Sequence, residues 1–157
     1  MAYDLTFIDK LGRNYEVPKI GVVSIGRYFS RAENWFVSRT RGDIGRIALK
    51  NPFESEDVYD WESVSKRHVV LHRYDLEEFI LPCKDSDFIL NGFGNLLDIR
   101  MTKRNFESLF KIFKDEFAKN RVYVNGREVG SDGIFIRDNS KIRLGNYEIL
   151  FRAILKS

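Results

Sequence analysis

An all-β domain carrying one helical insertion is the fold the sequence predicts, and three observations point to it. The last segment alternates: Tyr147, Ile149, Phe151, Ala153 and Leu155 fall on one side, the period-two pattern of a strand packed on a core. The chain opens as strand, turn, strand, strand. Its last third is a series of short apolar runs punctuated by turn residues.

The first strand places Leu5, Phe7 and Tyr3 on one side and Thr6 and Ile8 on the other, and ends at the turn Gly12-Arg13-Asn14. Tyr15-Glu16-Val17 returns, Pro18 and Gly21 break the run, and Val22 to Gly26 forms a third strand ending at Arg27. Residues 28–62 read mostly as loop, with Ile47-Ala48-Leu49 a short strand, and Arg27, Arg31, Arg39, Arg41 and Arg46 concentrate positive charge there. Val69 to Tyr74 and Glu78 to Leu81 read as two further strands, the second closed by Pro82.

Between residues 100 and 120 the period changes. Phe106, Leu109, Phe110, Phe113 and Phe117 recur at spacings of three and four, which predicts a helix over about 102–119 with Thr102 as its N-cap. A Phe-rich stripe of this kind is expected to pack on the parent domain, because an isolated helix of this length is marginal. Beyond it, Val122-Tyr123-Val124, Arg127-Glu128-Val129, Ile134-Phe135-Ile136, Lys141 to Leu144 and Tyr147 to Leu155 return to β, with Gly145-Asn146 as a hairpin turn.

At 157 residues, with 43% hydrophobic and 31% charged side chains, the chain has the size and composition of one globular domain with a real core. No apolar run approaches the roughly 20 residues that span a bilayer, and Met1 to Thr6 lacks the pattern of a secretory signal. Cys83 is the single cysteine, so an internal disulfide and a cysteine-based zinc cage are excluded. An intracellular setting, nuclear or cytoplasmic, without membrane contact, is the expectation. The net charge of +3 is mild and argues only weakly for nucleic acid.

Three separated clusters carry the functional signal: Gly26-Arg27 closing Val22 to Ile25, Ser65-Lys66-Arg67-His68 opening a hydrophobic strand, and Asn125-Gly126 after Val122-Tyr123-Val124. Together they resemble the signature of the forkhead-associated (FHA) domain, a phosphothreonine-reading module whose Gly-Arg, Ser-x-x-His and Asn-Gly elements come in this order. The resemblance implies a two-sheet β-sandwich with peptide-binding loops gathered at one end. It covers nearly the whole chain as one domain, 1–157, with insertions over about 28–46, the basic loop, and 93–121, the Phe-rich helix.

The chemistry fits the residue types. A phosphate monoester carries a charge of about −1.5 to −2 and strong acceptor oxygens, so its reader needs a permanent cation, a hydroxyl and free amides. On the resemblance, Arg27 chelates phosphate oxygens, Ser65 donates its hydroxyl, Lys66 adds its amide and ammonium, and Asn125 clamps the main chain of the peptide. Gly26, His68 and Gly126 support the site. Arg46 and Arg41 are further basic contacts. Gly45-Arg46 is a second Gly-Arg candidate, but Arg27 is preferred because three strand-like segments precede it. The resemblance also implies a preference for threonine, whose methyl group the pocket receives.

Other classes are weaker. His68 and His72 stand four apart, but in a strand-like run with no third ligand, so no metal and no cofactor are expected. Ser65 with His68 lacks a nucleophile-elbow turn and a third partner, and no phosphate-binding glycine loop is present; no catalytic residue is assigned. The expected partner is a phosphothreonine-containing protein. The rival reading is a β-module of the same fold with a non-functional phosphate pocket, binding an unmodified protein or nucleic acid through the basic loop, with Trp35 and Phe36 as exposed aromatics.

Overall fold

The computed structural model describes residues 3–28, 45–52, 57–73, 110–115 and 118–155. Alternating apolar side chains pair these segments into two sheets, as period-two patterning requires. In chain order the strands are β1 (Tyr3–Ile8), β2 (Asn14–Glu16), β3 (Val22–Arg27), β4 (Gly45–Leu49), β5 (Val69–Arg73), β6 (Phe110–Lys114), β7 (Val122–Val124), β8 (Arg127–Glu128), β9 (Ile134–Ile136), β10 (Lys141–Leu144) and β11 (Tyr147–Leu155). The six-stranded sheet runs β2-β1-β11-β10-β7-β8 and the five-stranded sheet β4-β3-β5-β6-β9. One helical turn, α1 (Val58–Glu62), stands between β4 and β5.

The sheets face each other across a core to which both contribute. Leu5, Phe7, Val122, Val124, Ile142, Ile149 and Phe151 come from the larger sheet; Val23, Ile25, Ile47, Leu49, Val69, Leu71, Phe110 and Ile112 come from the smaller. Phe110 makes edge contacts with Tyr3 and Phe151 across the interface, at centroid distances of 5.2 and 5.7 Å, a favoured geometry for aromatic pairs. The expected two-sheet all-β architecture is present, as are the strand–turn–strand opening, the alternation of β11 and the Gly145-Asn146 turn between β10 and β11.

The helix expected over about 102–119 is corrected at residues 110–114. These residues are β6, antiparallel to β5 with Val70 opposite Phe113 and Leu71 opposite Ile112, and antiparallel to β9 with Phe110 opposite Ile136. The physical reason is burial on both faces. Phe110 and Ile112 enter the core, while Phe113 packs on the other side against His72 at 5.0 Å. With neither face wet, the apolar residues lose their strict alternation and imitate a helical spacing. Within the segment 93–121 read as an insertion, residues 110–114 pair in the smaller sheet as β6. Thr102, Phe106, Leu109, Phe117, the strand expected at Glu78–Leu81 and the arginines Arg31, Arg39 and Arg41 lie outside the described residues.

Topology gathers one set of chain segments at a single end. β3 and β4 run parallel and finish there at Arg27 and Leu49, β5 starts there, and β6 finishes opposite Val69 at Lys114. In the other sheet β7 begins at that end opposite Leu144, and β10 turns into β11. The β1–β2 turn joins them: Arg13 donates to the carbonyls of Lys50 and Asn51, just beyond β4. Buried Asp9 organises this turn, accepting from the amides of Leu11 and Arg13, the Arg13 Nε and the Tyr15 hydroxyl.

Candidate functional site

The shared end brings Gly26-Arg27 directly against Ser65-Lys66. Arg27 N–H donates to the Ser65 carbonyl at 2.9 Å, and His68 N–H donates to the Ile25 carbonyl at 2.9 Å. Gly26 makes this approach feasible. A Cβ at that position would lie 2.0 Å from the Lys66 carbonyl oxygen and 2.7 Å from that of Ser65, closer than any side chain tolerates. The Gly-Arg and Ser-x-x-His clusters therefore meet because the glycine has no side chain.

His68 lies beneath this contact, fully buried. Its Nδ1 accepts the Ser65 amide at 2.9 Å, which fixes the proton on Nε2, and Nε2 donates to the Asn120 carbonyl at 3.0 Å. Burial holds the imidazole neutral, its pKa pulled down to about 4 despite its hydrogen bonds to the backbone of Asn120 and Arg121. Histidine thus ties the serine loop to residues 119–121. The tie is doubled, since Lys119 N–H donates to Ser65 Oγ at 3.0 Å and Asn120 Nδ2 to the Ser63 carbonyl at 2.6 Å. Ser63 Oγ in turn accepts from Asn146 N–H at 2.8 Å and donates to the Asp60 carbonyl, bringing the β10–β11 turn and α1 to the same rim.

Among the described residues, the guanidiniums of Arg27 and Arg46 reach this rim. Arg46 Nη2 donates to the Arg27 carbonyl at 3.1 Å, so the two Gly-Arg candidates stand side by side. Arg27 has its guanidinium carbon 5.3 Å from the ring centre of Trp61, a cation–π contact. Its Nε is buried with no hydrogen-bond partner. An unsatisfied buried donor on a permanent cation is costly unless an acceptor meets it. Lys66 and Lys119 are exposed nearby, and Arg67 is ion-paired with Asp115 at 3.4 Å.

Asn125 stands elsewhere, which corrects the expected set. It and Gly126 form the tight turn from β7 to β8, with φ of +49° and +83°, the left-handed pair of a type I′ hairpin. Asn125 N–H donates to the Lys141 carbonyl at 2.8 Å and its Oδ1 accepts the Lys141 amide at 2.9 Å. Lys141 begins β10, whose other end, Leu144, pairs with Val122 beside the rim. Asn125 and Gly126 therefore lie at the opposite end of β7, roughly 15 Å along the chain from Asn120 at strand spacing. Asn120, rather than Asn125, brings its carboxamide to the Ser65 loop. The sequence reading missed it because no glycine follows it; the signal that could have found it is position, ahead of β7 rather than after it.

The geometry bears on the other chemistries too. His68 meets Ser65 through the main-chain amide, and the Ser65 hydroxyl oxygen is met by the Lys119 amide, so serine and imidazole are not arranged as nucleophile and base. Both His68 ring nitrogens are engaged with backbone groups, and no trio of metal-ligating side chains occurs among the described residues. Among those residues no helix is long and apolar enough to cross a membrane.

No protein-family model and no curated protein matches the chain. Solved structures do. A domain from a structural and functional study of phosphothreonine-dependent FHA interactions is 20% identical, with 97% of this chain and 96% of that one covered and a TM-score of 0.46. The FHA domain of the CT664 protein from Chlamydia trachomatis is 14% identical over 97% of both chains, with a TM-score of 0.45. An FHA domain from Arabidopsis thaliana is 13% identical, covering 99% of this chain and 90% of that one at a TM-score of 0.49. Many of the solved structures similar to this chain are forkhead-associated domains, phosphothreonine-dependent ones among them, and the likeness spans nearly its whole length at low identity.

Proposed function

We propose that this chain is a forkhead-associated module that binds a phosphothreonine-containing segment of a partner protein at the Arg27–Ser65 rim, recruiting that partner without catalysis. The observation that carries the reading is the Arg27 guanidinium, whose buried Nε has no hydrogen-bond partner, on a residue whose own amide is bonded to Ser65. A phosphate oxygen supplies the missing acceptor, and a charge-assisted bond is about twice as strong as a neutral one.

The roles divide by chemistry. Arg27 chelates two phosphate oxygens. Ser65 Oγ accepts from Lys119, so its O–H is left to donate to a third. The exposed Lys66 contributes its amide and ammonium, and Arg46 reinforces the positive rim. Asn120 takes the role first expected of Asn125: its Nδ2 is used by Ser63, leaving Oδ1 to accept an N–H of the extended peptide. Gly26 and His68 hold the loops. Threonine is favoured over serine through burial of one methyl group, a discrimination of roughly 1–3 kcal/mol.

Fluorescence anisotropy with a degenerate phosphothreonine peptide library tests the reading. Binding is expected to vanish for dephosphorylated peptides, to weaken about tenfold for phosphoserine, and to fall about 100-fold in Arg27→Ala. The same loss in Arg46→Ala with Arg27→Ala unaffected transfers the phosphate contact to Arg46. Equal affinity for phosphorylated and unmodified peptides, with single-stranded nucleic acid bound in a steeply salt-dependent way, overturns the reading in favour of the inactive-pocket alternative.

A further inference from the structure

The Arg27 side chain has long, flexible geometry, yet a phosphate reader needs its guanidinium held in one orientation before the ligand arrives. Among the described residues no polar group is seen to hold it: its Nε has no hydrogen-bond partner, and its guanidinium lies over the face of the Trp61 indole, 5.3 Å from guanidinium carbon to ring centre. Trp61 is itself fixed. Only 8% of its surface is exposed, its Nε1 donates to the Leu49 carbonyl at 2.8 Å, and its amide donates to the Asp57 carbonyl at 2.8 Å. Leu49 is the register partner of Arg27 across the β3–β4 pair. The indole is therefore hung from the strand beside the one that carries the arginine.

We infer that Trp61 is a positioning residue for phosphate recognition, the indole face acting as a platform that presets the Arg27 guanidinium for a phosphomonoester. The inference rests on the phosphothreonine reading and adds a residue outside the sequence clusters. A cation–π contact engages the positive charge through the ring face and uses none of the N–H donors, so the platform orients without competing for hydrogen bonds. Main-chain and side-chain control are separate: Arg46 on the Arg27 carbonyl fixes the backbone, and Trp61 fixes the guanidinium. α1, a single turn, then has a use beyond linking β4 to β5: it delivers that ring to the rim.

The test uses the full chain in a Trp35→Phe background, which makes Trp61 the only indole, since the sequence has two tryptophans. In the free protein the Arg27 Nε–H proton resonance is expected upfield from ring current, to stay upfield in Trp61→Phe, and to return to its ordinary position in Trp61→Leu. Phosphothreonine peptide is expected to shift Trp61 emission saturably, to bind Trp61→Phe within about threefold of the parent, and to bind Trp61→Leu about tenfold more weakly. In Arg27→Ala the Trp61→Leu change is expected to cost no further affinity. An unshifted Arg27 resonance in the parent overturns the inference, as does equal binding by Trp61→Leu or an undiminished loss in the Arg27→Ala background. If the ring-current signature is present but the parent distinguishes no phosphorylated peptide from its unmodified form, the phosphothreonine reading fails instead, and the role of Trp61 in phosphate recognition falls with it.

Discussion

Gly26 is the position where one hydrogen atom decides whether the site exists. Its missing Cβ would meet backbone, not a flexible side-chain end, so Gly26→Ala must push β3 away from the Ser65 loop. Overpacking of this kind costs about 1–3 kcal/mol, and the loss is expected at the upper end of that range in chemical denaturation, with phosphopeptide affinity lost alongside. His68 gives a second residue-level prediction, shared with His72, whose pKa burial also pulls down to about 4, with Lys111 adding repulsion. Both fall below the ordinary value of about 6.5. Between these values the unfolded chain binds protons that the native state refuses, so stability rises with pH across this window. Acidification from about pH 6.5 toward 4 is expected to cost about 1.4 kcal/mol per pH unit for each histidine, levelling off below. Urea midpoints followed over that range in the parent and in His72→Gln check this: the variant's slope is expected to halve, and an unchanged slope contradicts the assignment.

At the scale of elements, β6 is where patterning by itself misleads. Phe110 and Phe113 are three apart on a strand whose two faces are both buried, and a spacing of three matches a helix as readily as a doubly covered strand. Because Ile112 sits in the core between β5 and β9, Ile112→Ala is expected to destabilise by about 2–5 kcal/mol, measured by denaturant unfolding. Slow amide hydrogen exchange in 110–114, at the level of Val69 to Leu71, is the matching backbone observation. The turn after β7 teaches the complementary lesson. An Asn-Gly pair reports the left-handed backbone a two-residue hairpin demands, which is why Asn125-Gly126 was conspicuous in the sequence, although the need it meets is conformational. Asn120, followed by Arg121, carries no such mark, and only the pairing of β7 with β10 reveals which end of the strand it occupies. Gly26-Arg27 and Ser65 to His68 were legible because each is a local cluster at a strand end. Their meeting depends on register between distant segments, which local patterning does not encode.

Across the whole molecule, two sheets with different strand orders deliver their loops to opposite ends, and the ends differ in chemistry. One end joins Arg27, Arg46 and Ser65 by hydrogen bonds along the smaller sheet, and His68, Ser63, Asn120 and the Gly145-Asn146 turn by hydrogen bonds that cross to the larger one. At the other end Arg73, fully buried, donates to the carbonyls of Pro18 and Tyr3 and closes the sandwich. Ligand binding is expected at the first end alone, and a backbone amide NMR titration with a phosphothreonine peptide reads this out residue by residue. Saturable shifts are expected at Arg27, Ser65, Lys66, Lys119, Asn120 and Asn146, with Asn125, Gly126 and Lys141 unmoved. Shifts centred on Asn125 and Gly126, or identical shifts with the unphosphorylated peptide, would contradict this expectation.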